Sequence, residues 1–439
     1  MDTPTSLEAI TPDDFSAATS ELRAAEVTHD FALTPARLPW SAYHAMRSLW
    51  RSFSRGVEAF IDMHERDFSR IASALFLPEY LIPIWDCLPP HDWAMIARPD
   101  VIIAEGSPLI IDVNASSLSG HFATNDMLLR AHRAPELRGY FSNAGEPRFL
   151  MGHYADLLRR FCINDKYMIG LTYFAEEDAA GPSKGRFHYL TEIMELGRLG
   201  LSAQMVHIED IDVTSSGVYC RGERIGLIHR YFTPRHDDAA QIDQLAKVAK
   251  AARDGLVVVW TGLSGDVFDS KTMIATLSDE RFTSGLRPSL AAAMSRWVPW
   301  TRLVEERHTL WRDDKIDLIA WIAENRARLV LKPAIGGMGR SVIIGQEASA
   351  SDWEAQLASL LRGGGPWVVQ ELLRPDHREV KLADQAGVIH AERGPVVYGV
   401  FVLDGEFVGA ICRHGRRGYS ELMINGLTGA VPTPVYWSG

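Results

Sequence analysis

Along the chain, stretches of helical periodicity alternate with short apolar runs, and the changes of pattern mark out its parts. Over residues 1–80 apolar side chains recur at helical spacing, as in Leu49, Phe53, Val57, Phe60 and Ile61. This predicts a helical N-terminal region, 1–90, acting as a scaffold or cap. Between Arg98 and Asn114 two short apolar runs flank Glu105-Gly106-Ser107, which reads as two strands joined by a tight turn. Residues 123–163 return to helical spacing. From Lys166 the pattern changes again, with strands expected at 167–174, 203–208, 225–232 and 256–260 and helices at 186–199 and 238–254. Strands alternating with helices predict a small, mostly parallel α/β domain over 161–265. It carries no G-x-G-x-x-G, so no dinucleotide site is expected.

Helices are expected to dominate 270–328, interrupted at 297–301. A strand at 328–333 then ends in Lys332 and Pro333. It leads into a loop holding Gly336, Gly337 and Gly339, a strand at 341–345, a helix at 352–362 and an apolar strand ending in Gln370-Glu371-Leu372. The glycine loop joins strand to strand, so it is not a P-loop, which opens a helix. Exposed amides in such a loop can wrap phosphate oxygens, with Lys332 as a point charge. The alternative is a flexible surface hairpin with a lysine at its end. Asp404-Gly405 between two apolar runs predicts a hairpin near the C-terminus.

Composition narrows the partners. The 439 residues are 46% hydrophobic and 23% charged, as in ordinary globular proteins of two or three domains. A net charge of −11 argues mildly against nucleic acid or an anionic membrane as partner. No apolar run approaches the ~20 residues of a transmembrane helix. The first residues lack the basic and apolar segments of a signal peptide. Cys87, Cys162, Cys220 and Cys412 lie far apart without a C-x-x-C, and read as reduced structural thiols of a cytoplasmic protein.

The chemistry concentrates in the hairpin. Side chains alternate along a strand, so Arg98, Asp100, Asp112 and Asn114 share a face. A turn centred on Gly106 sets 100 opposite 112 and 98 opposite 114, roughly 4.5–5.5 Å apart at Cβ. Two carboxylates that close call for a cation. Mg2+ would accept their oxygens and leave positions for phosphates. The other reading is a surface hairpin in which Arg98 neutralises both acids.

From about residue 97 onward the chain resembles the circularly permuted ATP-grasp ligases, the family that includes the synthetase part of glutathionylspermidine synthase. Arg98-Pro99-Asp100, eleven residues, then Asp112-Val113-Asn114 matches that family's Arg-x-Asp and Glu-x-Asn spacing, with Asp112 for the usual Glu. Lys332, the glycine loop and Gln370-Glu371 follow its nucleotide-site order. Ser270-Lys271 stands at its Asn-Lys helix start, Pro299-Trp300-Thr301-Arg302 at its Pro-Trp-Thr-Arg, and His229-Arg230-Tyr231-Phe232 near its Arg-Arg-Phe.

The resemblance implies a mixed α/β and α+β chain with a circularly permuted ATP-grasp fold. In it, 91–160 would bear magnesium, 161–265 would be a Rossmann-like pre-ATP-grasp domain, 266–375 the nucleotide and lid part, and 376–439 the strands completing the core. It also implies site roles. Asp100, Asp112 and Asn114 would hold Mg2+. Lys271 and Lys332 would meet ATP phosphates beneath the loop of Gly336, Gly337 and Gly339. Gln370, Glu371 and the backbone of Leu372 would form the adenine and ribose edge. Arg98 would be catalytic, stabilising charge on the transferring phosphoryl group. Ser116, Ser117 and Gly120 would hold the acceptor carboxylate or the acyl phosphate. Arg230 and Arg413 would bind an anionic substrate end, a salt bridge being the alternative for each. His121 is a substrate contact or a structural loop histidine. The implied activity is that of an ADP-forming C–N ligase using ATP and Mg2+, on a small carboxylate and a small amine, without nucleic acid or membrane. The alternatives are a polyamine amide synthetase, a phosphotransferase on the same scaffold, and a non-catalytic ATP-binding protein.

Overall fold

The helix Trp40–Met63 buries Met46, Leu49, Trp50, Phe53, Val57, Phe60 and Ile61 along one stripe, the face expected from its spacing. Each such side chain contributes about 1.5–3 kcal/mol when fully buried. The stripe packs on Ser107–Asn114, on Glu406–His414 and on the helix Pro288–Trp297. A Cβ at Gly56 would stand 2.8 Å from Met294 Sδ and 2.9 Å from Leu277 Cδ2, so a larger residue there would have to push those two side chains aside. The computed structural model describes residues 11–21, 31–82, 96–115, 122–141, 144–173, 186–231, 238–260, 265–336, 341–363, 365–384, 388–425 and 429–439.

The N-terminal region is not wholly helical. Phe31–Ala32 pairs antiparallel with Leu382 and Ala383, and Ala36–Pro39 pairs parallel with residues 435–438. Both join a nine-stranded sheet built largely from the C-terminal strands His377–Ala383, Ile389–Leu403, Glu406–His414 and Val431–Ser438. The strand Ile389–Leu403 is the branch point, pairing with 377–383 along its first half and with Ile96–Ala104 along its second. Two of these strands escaped the pattern. Charged Arg378, Glu379 and Lys381 hide the first, and Pro432 and Pro434 argue against the second. The Asp404-Gly405 turn is present, with φ 54° and 73°.

A six-stranded sheet draws its strands from between Met168 and Trp260. Strands Ala203–His207, Met168–Tyr173, Glu223–Arg230 and Val258–Trp260 are parallel, and an antiparallel pair, Ile211–Thr214 and Gly217–Cys220, extends the sheet. All six residues of Met168–Tyr173 are buried, as in a strand covered on both faces.

A four-stranded antiparallel sheet has the order Thr301–Leu303, Trp367–Glu371, Leu329–Pro333, Ile343–Ile344. The helical expectation for 270–328 fails in its second half. There Thr301–Leu303 and the hairpin His308–Trp311/Asp314–Asp317 are strands. They are short and polar, and a cluster of Trp300, Trp311 and Trp321 from separate segments anchors them. Among the described residues no helix is long and apolar enough to cross a membrane, and Cys162, Cys220 and Cys412 are free thiols.

Candidate active site

The hairpin Ile96–Ala104/Ser107–Asn114 pairs Arg98 with Asn114 and Asp100 with Asp112, the register expected from the sequence. The route to that register differs. The turn has two residues, Glu105 (φ 50°) and Gly106 (φ 79°), so Ala104 pairs with Ser107 and Val101 with Ile110. A one-residue bulge between Asp100 and Val101 then shifts the pairing. Without it Asp100 would face Ile111, and Asp112 would turn to the other side of the sheet. The bulge leaves Ile111 outside the ladder, and its carbonyl accepts from Lys332 Nζ at 2.9 Å. One irregularity therefore both opposes the acids and docks the lysine strand.

Lys271 arrives from a different direction, as the first residue of the helix Lys271–Ser278. Its backbone N–H donates to Ala334 O. Its Nζ donates to Gly336 O at 2.7 Å and lies 3.4 Å from Asp112 Oδ1. The carbonyl of Gly336 (φ 145°) is thus turned onto the lysine at the start of the glycine loop. Arg413, on the strand beyond, places Nη2 2.5 Å from Asp100 Oδ1 but without hydrogen-bond alignment, and that oxygen is buried with no hydrogen bond. Arg98 is 8% exposed and lies over Gly399, where a Cβ would meet Arg98 Cδ at 3.0 Å. Burial lowers its guanidinium to about 10, opposed by Asp100, so it stays charged at neutral pH. Burial also pushes the Lys332 ammonium down to about 8, against the pull of Asp112.

These groups fit a hard divalent cation. Asn114 Nδ2 donates to Arg98 O at 3.1 Å, so its amide oxygen is the atom left for a cation. Among the described residues no three His, Cys, Asp or Glu side chains form a metal cage. Two carboxylates and one amide suit an ion that draws its remaining ligands from water and phosphate.

Other candidates fall in several places. Gln370 is 3% exposed, with its side chain bonded to Lys332 and Thr301. Burial raises the Glu371 carboxyl, with Arg312 and Arg328 opposing. The Leu372 amide donates to Arg328 O at 2.8 Å, which leaves only its carbonyl for the proposed purine edge. Arg230 is 1% exposed and 3.5 Å from Asp266, a buried pair. Ser116, Ser117, Gly120, His121, Gly337, Gly339 and Phe232 lie outside the described residues.

Two residues given no role by the sequence reading join the cluster. Asp269 ends the short helix Gly265–Asp269 and accepts the Ala115 amide through Oδ1, tying the end of the acid hairpin to the segment that opens with Lys271. Its proximity to the Ser270-Lys271 motif was the only available signal. Thr301, within the Pro-Trp-Thr-Arg segment, meets Gln370.

The whole chain is similar in fold to a glutathione synthetase-like effector from Globodera pallida in its apo form. The TM-score is 0.57 at 12% identity, covering 100% of this chain and 98% of that one. A putative gamma-glutamylcysteine synthetase from Methylobacillus flagellatus KT matches with a TM-score of 0.43 at 12% identity, over 87% of this chain and 86% of that one, a score too low to establish a shared fold. No protein-family profile and no curated protein sequence matches the chain. At this identity the first likeness establishes the fold, a mixed α/β architecture shared with a synthetase-like protein.

Proposed function

We propose that this chain is an ATP- and Mg2+-dependent carboxylate–amine ligase of the ATP-grasp type. It would form an amide or peptide bond through an acyl phosphate, on small amino-acid or peptide substrates. One observation carries the reading: the hairpin that bears Asp100, Asp112 and Asn114 is met by Lys271, at Asp112, and by Lys332, at the Ile111 carbonyl, from two other segments of the chain. The likeness to a glutathione synthetase-like structure supports it. The acid hairpin precedes the lysine strand in sequence, which agrees with the permuted order.

Asp100, Asp112 and Asn114 would hold the ion, which when bound neutralises charge on the nucleotide phosphates. The chain's own cations supply the rest. With no ligand Lys271 lies on Asp112 and Arg413 on Asp100. Phosphate oxygens would draw both cations away and free both carboxylates, so nucleotide and metal should bind together. Lys332, held by neutral acceptors, would meet a phosphate at full charge. Arg98 would stabilise charge on the transferring phosphoryl group and on the tetrahedral intermediate. The γ-phosphoryl group passes to the substrate carboxylate and leaves ADP. The amine then attacks the acyl carbon and phosphate departs.

The test supplies ATP and Mg2+ with pooled amino acids, short peptides and polyamines, following phosphate release and product mass. Phosphate released only when acid and amine are both present, with a product of their combined mass less water, supports the ligase. A polyamine conjugate would keep the reaction and change the acceptor. ATP bound without turnover in every pool would overturn it.

A further inference from the structure

The resemblance assigns Gln370 to the adenine edge, but its side chain is engaged elsewhere. Oε1 accepts from Lys332 Nζ at 2.7 Å, and Nε2 donates to Thr301 Oγ1 at 3.0 Å. We infer that Gln370 and Thr301 are positioning residues that aim Lys332 at a phosphate, and that Gln370 takes no part in reading the purine.

The direction of every proton follows from chemistry. An ammonium only donates, so the amide oxygen of Gln370 must face Lys332. The amide nitrogen then faces Thr301. The Thr301 hydroxyl gives its own hydrogen to Pro299 O at 2.9 Å, so toward Gln370 it can only accept. A single ordered relay runs from the Pro299 carbonyl to the lysine. Thr301 is fully buried and Gln370 is 3% exposed, so water cannot take the place of either. The second acceptor on Lys332 is the carbonyl of Ile111, displaced by the bulge. Both acceptors are neutral. Lys332 is therefore oriented without being neutralised, whereas Lys271 rests on a carboxylate. Loss of the Thr301 hydroxyl would remove what holds the amide, and a flipped Gln370 would turn its N–H groups toward the ammonium.

The assignment rests on the nucleotide reading above, and calorimetry separates the two. Magnesium ADP is titrated into the wild type, Thr301→Val, Thr301→Ser, Gln370→Met and the Thr301→Val/Gln370→Met double variant. Inosine diphosphate is used in parallel. Thr301→Val and Gln370→Met should each weaken ADP roughly tenfold or more, the scale of a lost hydrogen bond to a charged group. Thr301→Ser should restore affinity. The double variant should bind no worse than either single, because one relay is broken once. Gln370→Met should lower ADP and inosine diphosphate affinity by the same factor. Wild-type affinity in Thr301→Val, additive penalties, or an altered ratio of the two nucleotides would each overturn the positioning role alone. A wild type that binds neither nucleotide would overturn the nucleotide site itself, and the relay with it.

Discussion

Two buried polar clusters, one on the acid hairpin and one between two helices and a strand of the α/β layer, are built on opposite terms. At the acid hairpin, Arg98, Arg413, Lys271 and Lys332 crowd Asp100 and Asp112, and their pairings are long or misaligned: 4.0 Å for Arg98 to Asp100, 3.4 Å for Lys271 to Asp112. In the α/β layer, Glu192 is fully buried and accepts from the hydroxyls of Tyr154 and Tyr231, the latter at 2.6 Å. Tyr154 also lies 2.6 Å from His229 Nδ1. Burial drives the Glu192 carboxyl up to about 7 and the His229 imidazole down to about 3, so this cluster sheds charge. The first cluster keeps its charges and leaves them loosely matched, as a site must if its ions are to exchange partners. The second closes short hydrogen bonds around Glu192 and leaves His229 Nε2, a neutral ring atom, without a hydrogen-bond partner among the described residues. Burial and polarity alone do not distinguish the two clusters; the retained, loosely matched charges do.

The comparison breaks most sharply at Lys332 and Asp112. Lys332→Ala or Asp112→Asn should lower turnover by roughly a hundredfold or more with the circular dichroism spectrum kept. Near-full activity in either variant would remove that residue from the site. On the other side, Glu192→Leu leaves the buried Tyr231 hydroxyl without its carboxylate acceptor and Tyr154 with His229 Nδ1 alone. It should cost about 2–4 kcal/mol in urea unfolding while nucleotide affinity stays within error. A variant of wild-type stability but weakened nucleotide binding would reverse the roles given to the two clusters.

The smallest effect is on pH. Lys332 is about 8 in the fold against 10.5 for the free side chain. Only its charged form attracts phosphate, so nucleotide affinity should fall as pH rises through about 8. In stability the sign is opposite: the buried charge is a cost below pH 8, relieved as pH rises toward 10.5. Glu192 is raised from 4.5 to about 7, so its fold keeps a proton that the unfolded chain releases. Its contribution is full below pH 4.5 and declines as pH rises through 7. Paired titrations of ADP affinity and of unfolding midpoint would resolve the two clusters, and affinity flat to pH 10 would detach Lys332 from the phosphates.

Much of this was legible because the signals are local. The facing acids follow from two strands and a turn, and the stripe of Trp40–Met63 follows from helical spacing. The order of lysine strand, loop, strand, helix and strand appears as expected at Leu329–Pro333, Ile343–Ile344, Ala350–Leu361 and Trp367–Glu371. What escaped depends on distant partners. His377–Ala383 is a strand because the strand at 389–395 lies beside it, and the strand at 301–303 forms against 368–370. Gln370 looked like a base reader by position, yet Thr301 and Lys332 hold both ends of its amide.

The sequence by itself determined the candidates for the chemistry: two acids and an amide at fixed spacing, a lysine opening a helix, and a lysine ending a strand. Alternation and capping act over a few residues, so they can be read one segment at a time. Only the tertiary structure decided how those residues meet. The bulge at Ile111 sets Asp100 against Asp112 and offers its carbonyl to Lys332. Such choices depend on hydrogen bonds between segments far apart in the chain, whose partners no local pattern names.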